Sequence, residues 1–73
     1  MLGNQLKCAR IMKNFKQEQV AERLNLSRQS LSKWENNHSL PDVHTLYELC
    51  NLYGLSIEKF LIENANENTG GLS

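Results

Sequence analysis

Residues 17–36 read QEQVAERLNLSRQSLSKWEN, and this stretch decides how the rest of the chain is read. Val20, Ala21 and Leu24 recur at helical spacing, which predicts a helix over about 17–24. Asn25-Leu26 interrupts the pattern, and asparagine tolerates the left-handed backbone that a tight break needs. Ser27 is a strong N-cap, so a second helix is expected over about 28–36 with Leu31, Trp34 and Glu35 turned inward.

The flanking sequence adds three more helices. Leu2, Leu6 and Ala9 mark one over about 2–13, closed by Asn14 in the left-handed conformation and followed by Phe15. Residues 37–41 form a loop, because Pro41 disfavours helix at Leu40. Asp42 caps a helix over about 43–53 with the stripe Val43, Leu46, Leu49, Cys50 and Tyr53, and Gly54 closes it. Ser56 caps a short fifth helix over about 57–62 that carries Ile57, Phe60 and Leu61. The remaining NANENTGGLS is polar and Gly-rich, so the expected division is one domain over 1–63 and a flexible tail over 64–73. No stretch alternates as a strand does, and the fold class is all-α.

Seventy-three residues allow one small domain, so neither a multi-domain enzyme nor a transporter is expected. No apolar run approaches the roughly 18 residues of a membrane span, and the start MLGNQLK lacks the apolar stretch of a secretory signal. Cys8 and Cys50 form no CxxC pair, so a cytoplasmic domain with reduced thiols is expected. The net charge of zero conceals a division. Residues 1–40 hold seven Lys and Arg against three Glu, a net +4, and residues 41–73 hold one Lys against five acids, a net −4. Such a division suits one face meant for an anionic partner, although scatter over a solvated surface gives the same count.

Two short helices joined through a left-handed residue, with the small Ala21 letting them cross closely, form the layout of a helix-turn-helix. Any pair of short helices shares part of that spacing. The individual residues add more. Leu6 to Arg10, Gln17-x-x-Val20-Ala21-x-x-Leu24, Ser27 to Asn36, Leu40-Pro41-Asp42, Thr45-Leu46, Gly54-Leu55-Ser56-Ile57 and Phe60-Leu61 together resemble the lambda-repressor-like or Cro-like helix-turn-helix class, also called the xenobiotic-response-element family. The resemblance covers about residues 2–62. It implies a compact five-helix bundle with the helix-turn-helix at helices two and three. The third helix would enter the DNA major groove, usually in a homodimer on a two-fold operator.

Roles carry over where positions match. Gln17 stands where the family docks a phosphate, and a helix N-terminus favours an anion there on physical grounds; a simple capping role is the alternative. Arg28, Gln29, Ser32 and Lys33 line the outward face of the third helix. Gln29 can pair with an adenine edge, while Arg28 or Lys33 suits guanine O6/N7. Ser30 and Asn36 are placed for backbone contacts that position the domain without reading bases. The resemblance also implies a partly buried ion pair between Arg10 and Glu35, and a core position for Trp34. The chain departs from the pattern at Lys16, where the family has a Ser/Thr cap and where a cation could reach phosphate. It departs again at Asn14, Asn25 and Asn37, where glycine is common.

Other chemistry finds less support. Cys8 and Cys50 lie too far apart for the short ligand spacing of a zinc site and His38-x5-His44 is the one pair within it, which leaves buried thiols and loop histidines as the expectation. There is no phosphate-binding Gly-rich loop, HExxH or GxSxG, so neither an enzyme nor a cofactor is expected. Leu55, Ile57, Leu61 and Ile62 exceed what a short helix buries alone, and they are read as part core and part dimer seam. The expected function is a sequence-specific regulator on double-stranded DNA, a homodimeric repressor with no membrane association and no apparent small-molecule effector. A protein-interaction module such as an antitoxin or regulatory subunit, using the C-terminal apolar patch, is the alternative.

Overall fold

The computed structural model describes the backbone of residues 2–72 and the side chains of residues 2–64. Five helices follow in order: α1 (Leu2–Met12), α2 (Gln17–Arg23), α3 (Arg28–Glu35), α4 (Val43–Tyr53) and α5 (Ile57–Leu72), with no strand among the described residues. α1 and α2 pack on α3, and α4 packs on α1 and α5. The core between them is Leu6, Val20, Leu31, Leu46, Leu49, Cys50, Tyr53 and Phe60, with Leu2, Ala9, Phe15, Leu24 and Trp34 packed around it.

The first four helices stop in the same way. Asn14 (φ 61°), Asn25 (φ 57°), Asn37 (φ 62°) and Gly54 (φ 73°) all adopt the left-handed conformation. In each case the next N–H reaches back five residues to a helix carbonyl: Phe15 to Arg10 (3.1 Å), Leu26 to Ala21 (2.7 Å), His38 to Lys33 (2.9 Å) and Leu55 to Cys50 (2.8 Å). This reach-back bond occupies a carbonyl that the helix end otherwise leaves unpaired. The starts are equally specified. Ser27 Oγ accepts from the Ser30 N–H (3.0 Å), Asp42 Oδ1 from the Thr45 N–H (2.7 Å), and Ser56 Oγ from the Lys59 N–H (3.4 Å).

Several positions differ from the sequence expectation. α5 runs to Leu72, not to residue 62. Asn64 anchors the extension: it is buried, and its Nδ2 donates to Gln5 Oε1 on α1 (2.7 Å) and to the Phe60 carbonyl (2.8 Å). A polar residue thus does what an apolar stripe would have signalled. The side chains of 65–73, and so most of the expected tail, lie outside the described residues. Val43 is 73% exposed instead of part of the core. Periodicity gives the direction a side chain points, but Val43 lies in the first turn of α4, beyond the edge of the core. Cys8 is exposed and only Cys50 is buried; burial pushes the Cys50 thiol pKa up, away from reactivity. His44 sits on α4, within reach of Glu48 one turn on, and not in a loop.

Candidate nucleic-acid interface

α3 is held from one side and open on the other. Leu31 and Glu35 are buried and Trp34 is half-buried, whereas Arg28, Gln29 and Lys33 are exposed. None of these three exposed side chains has a hydrogen-bond or ion-pair partner among the described residues. Extended donors kept free on one helix face are what a base edge needs.

The inward side is fixed by a charged network. Arg10 Nε and Nη2 donate to Glu35 Oε2 and Oε1 at 2.7 and 3.0 Å, a bidentate pair in which the Glu35 side chain is 1% exposed and that of Arg10 10%. Arg10 Nη1 donates to the Phe15 carbonyl (2.8 Å), and Gln17 Nε2 donates to Glu35 Oε1 (3.0 Å). The hydrogen bond to Glu35 raises the Arg10 pKa despite burial. One carboxylate therefore ties α1, the start of α2 and the end of α3 together. The pair implied by the resemblance is in contact.

The start of α2 lies beside this network. No side chain accepts from its first N–H groups at the Lys16 cap, although Gln19 Oε1 accepts from the Lys16 N–H (2.8 Å). A shallow depression of about 350 Å³ brings Lys16 and Gln17 together with Arg28 of α3. Gln17 has one amide hydrogen on Glu35, so its inward contact coexists with an outward donor. Ser30 faces back to the cap, where its hydroxyl accepts from Ser27 Oγ (2.9 Å). Asn36 Nδ2 folds onto Ser32, 2.9 Å from its carbonyl and 3.3 Å from its Oγ.

Gly3 was not legible as a site residue. Its N–H donates to Asn37 Oδ1 (3.0 Å), and a Cβ there would meet the Trp34 and Glu35 carbonyls and the Asn37 amide. The missing side chain lets α1 abut the end of α3. No single-sequence signal distinguishes such a glycine from a chance one. Of the expected dimer seam, Leu55 and Ile57 pack partly on the core, while Leu61 and Ile62 remain exposed. Among the described residues no three His, Cys, Asp or Glu side chains gather as a metal site, and no helix is long and apolar enough to cross a membrane.

Residues 3–67 match the model of the helix-turn-helix domain family. The chain belongs to that family. It is similar to the HTH-type transcriptional regulator ImmR of Bacillus subtilis (strain 168), with 40% identity over 60 residues that make up 82% of this chain and 47% of ImmR. It is also similar to the SPbeta prophage-derived uncharacterized HTH-type transcriptional regulator YonR of the same organism, with 35% identity over 66 residues, 90% of this chain and 60% of YonR. The HTH-type transcriptional activator BcrR of Enterococcus faecalis is 35% identical over 59 residues, 81% of this chain and 29% of BcrR. All three carry names of transcriptional regulators and none that of an enzyme. This helix-turn-helix chain spans between 29% and 60% of their lengths.

Proposed function

We propose that the chain is a sequence-specific regulator of transcription that binds double-stranded DNA through α3, as a homodimeric repressor on a palindromic operator. The observation that carries this reading is the exposed, unengaged row Arg28, Gln29 and Lys33 on a helix whose other face is locked. Gln29 suits an adenine edge and Arg28 or Lys33 a guanine, each good bidentate pair discriminating by about 1–3 kcal/mol. Lys16, Gln17 and Ser30 set the register on the phosphates. The exposed Leu61 and Ile62, continued by Leu55 and Ile57, form the seam between two copies. Two α3 helices then lie in successive major grooves about 34 Å apart, and occupation of a promoter represses it. The protein acts in the cytoplasm, on the nucleoid, with no cofactor.

The test is selection from a randomised duplex pool, followed by fluorescence anisotropy across a salt series. Enrichment of a palindrome is expected, with log K falling against log salt by about 0.9 per phosphate neutralised. Gln29→Ala should relax the preference at one position of each half-site. Weak, featureless binding would count against the reading, and the exposed apolar residues of α5 would then point to a protein partner instead.

A further inference from the structure

Ser32 and Asn36 stand one turn apart on the outward face of α3, and both side chains are engaged with each other. Asn36 Nδ2 donates to the Ser32 carbonyl at 2.9 Å and lies 3.3 Å from Ser32 Oγ. The amide presents hydrogens to that oxygen, so the hydroxyl proton is turned away from Asn36. Serine in a helix commonly returns its proton to the carbonyl four residues back, but no such bond to Arg28 forms here, nor any other intramolecular acceptor among the described residues. The Ser32 hydroxyl therefore has an acceptor site filled from within the chain and a proton free for something outside it.

We propose that Asn36 is a positioning residue that takes one of the two lone pairs of the Ser32 hydroxyl and biases Ser32 towards reading its base as a donor. This rests on the reading of α3 as the helix that meets base edges. A hydroxyl alone is indiscriminate, because it can give or take a hydrogen bond. With one lone pair taken by Asn36 and its proton free, it favours an acceptor edge, guanine O6/N7, adenine N7 or thymine O4, over the amino group of cytosine. Asn36, with its amide hydrogens turned onto Ser32, acts through that residue and not as a phosphate donor.

The experiment compares binding of single-base-pair variants of the selected operator by the full chain and by Ser32→Ala, Asn36→Ala and Asn36→Asp. Ser32→Ala identifies the position that Ser32 reads. Asn36→Ala should lose about three- to tenfold of the discrimination at that same position and leave the others unchanged, the scale of one net hydrogen bond. Asn36→Asp replaces the donor amide by an acceptor carboxylate, which draws the Ser32 proton inward. It should weaken binding to all sequences by charge repulsion yet turn the preference at the Ser32 position towards a base presenting an amino group. A purely structural role for Asn36 would lower the melting temperature without moving one column of the profile. Losses spread equally over all positions, or confined to a position that Ser32→Ala does not affect, would overturn the proposal. If the unmodified chain selects no sequence at all, the reading of α3 falls first and this proposal falls with it. Asn36→Asp keeps the side-chain size and carries the test should Asn36→Ala fold poorly.

Discussion

Replacing Glu35 by alanine should cost this domain a large part of its stability. The carboxylate accepts from Arg10 Nε (2.7 Å), Arg10 Nη2 (3.0 Å) and Gln17 Nε2 (3.0 Å), and its side chain is 1% exposed. Without it, the Arg10 guanidinium stays largely buried with only the Phe15 carbonyl (2.8 Å) to satisfy it. Removing one partner of a buried pair costs about 3–5 kcal/mol, because the stranded charge outweighs the lost contact. A domain of 73 residues is stable by roughly 4–11 kcal/mol in all, at about 0.05–0.15 kcal/mol per residue. Glu35→Ala should therefore lower the melting temperature by at least about 12 °C, at 4–8 °C per kcal/mol for a domain of this size. Urea unfolding followed by far-UV circular dichroism, with the unmodified chain in parallel, measures the difference. The double variant Arg10→Met/Glu35→Leu should recover most of the loss, since a well-packed apolar pair can replace a buried ion pair at little cost. A loss below 1 kcal/mol for Glu35→Ala would refute the reasoning, because the pair would then behave as a solvent-screened surface contact.

Three further outcomes follow from the geometry. Gly3→Ala should destabilise by about 1–3 kcal/mol, although alanine is the better helix former, because the new Cβ meets the carbonyls that end α3; thermal melting reads the sign. Tyr53→Phe should leave stability unchanged or raise it by about 1 kcal/mol, because the Tyr53 hydroxyl is buried without a partner among the described residues; a clear loss in urea unfolding would reveal one. Asp42, whose pKa is lowered from 3.8 by its hydrogen bonds to Thr45, holds the start of α4 as a carboxylate. Its stabilisation is present above the ordinary value and lost as pH falls through the depressed one, so Asp42→Asn, an uncharged cap, should flatten the acid limb of the stability profile.

Most of the fold was legible because its boundaries are written in local chemistry. Asn14, Asn25 and Asn37 stand at helix ends where a left-handed residue is required, and Ser27, Asp42 and Ser56 each cap the helix they precede. Those features need only neighbours in sequence. What the sequence did not reveal depends on partners far along the chain. The hold of α5 on α1 past residue 62 rests on Asn64 meeting Gln5, 59 residues away, and the role of Gly3 on the end of α3, 34 residues away. The outward face of α3 was legible as a row of residue types. The inward bond of Gln17 and the folding of Asn36 onto Ser32 were not, because a flexible polar side chain has several local choices and tertiary packing selects among them.

The proposed function makes α3 the surface that meets DNA. Amide shift perturbation on titration with the selected duplex, in an isotope-labelled chain, tests it most directly. Shifts concentrated at residues 16–18 and 28–33 are expected, with α5 responding only where two copies meet. Shifts confined to residues 57–62, with Arg28, Gln29 and Lys33 unmoved, would contradict it.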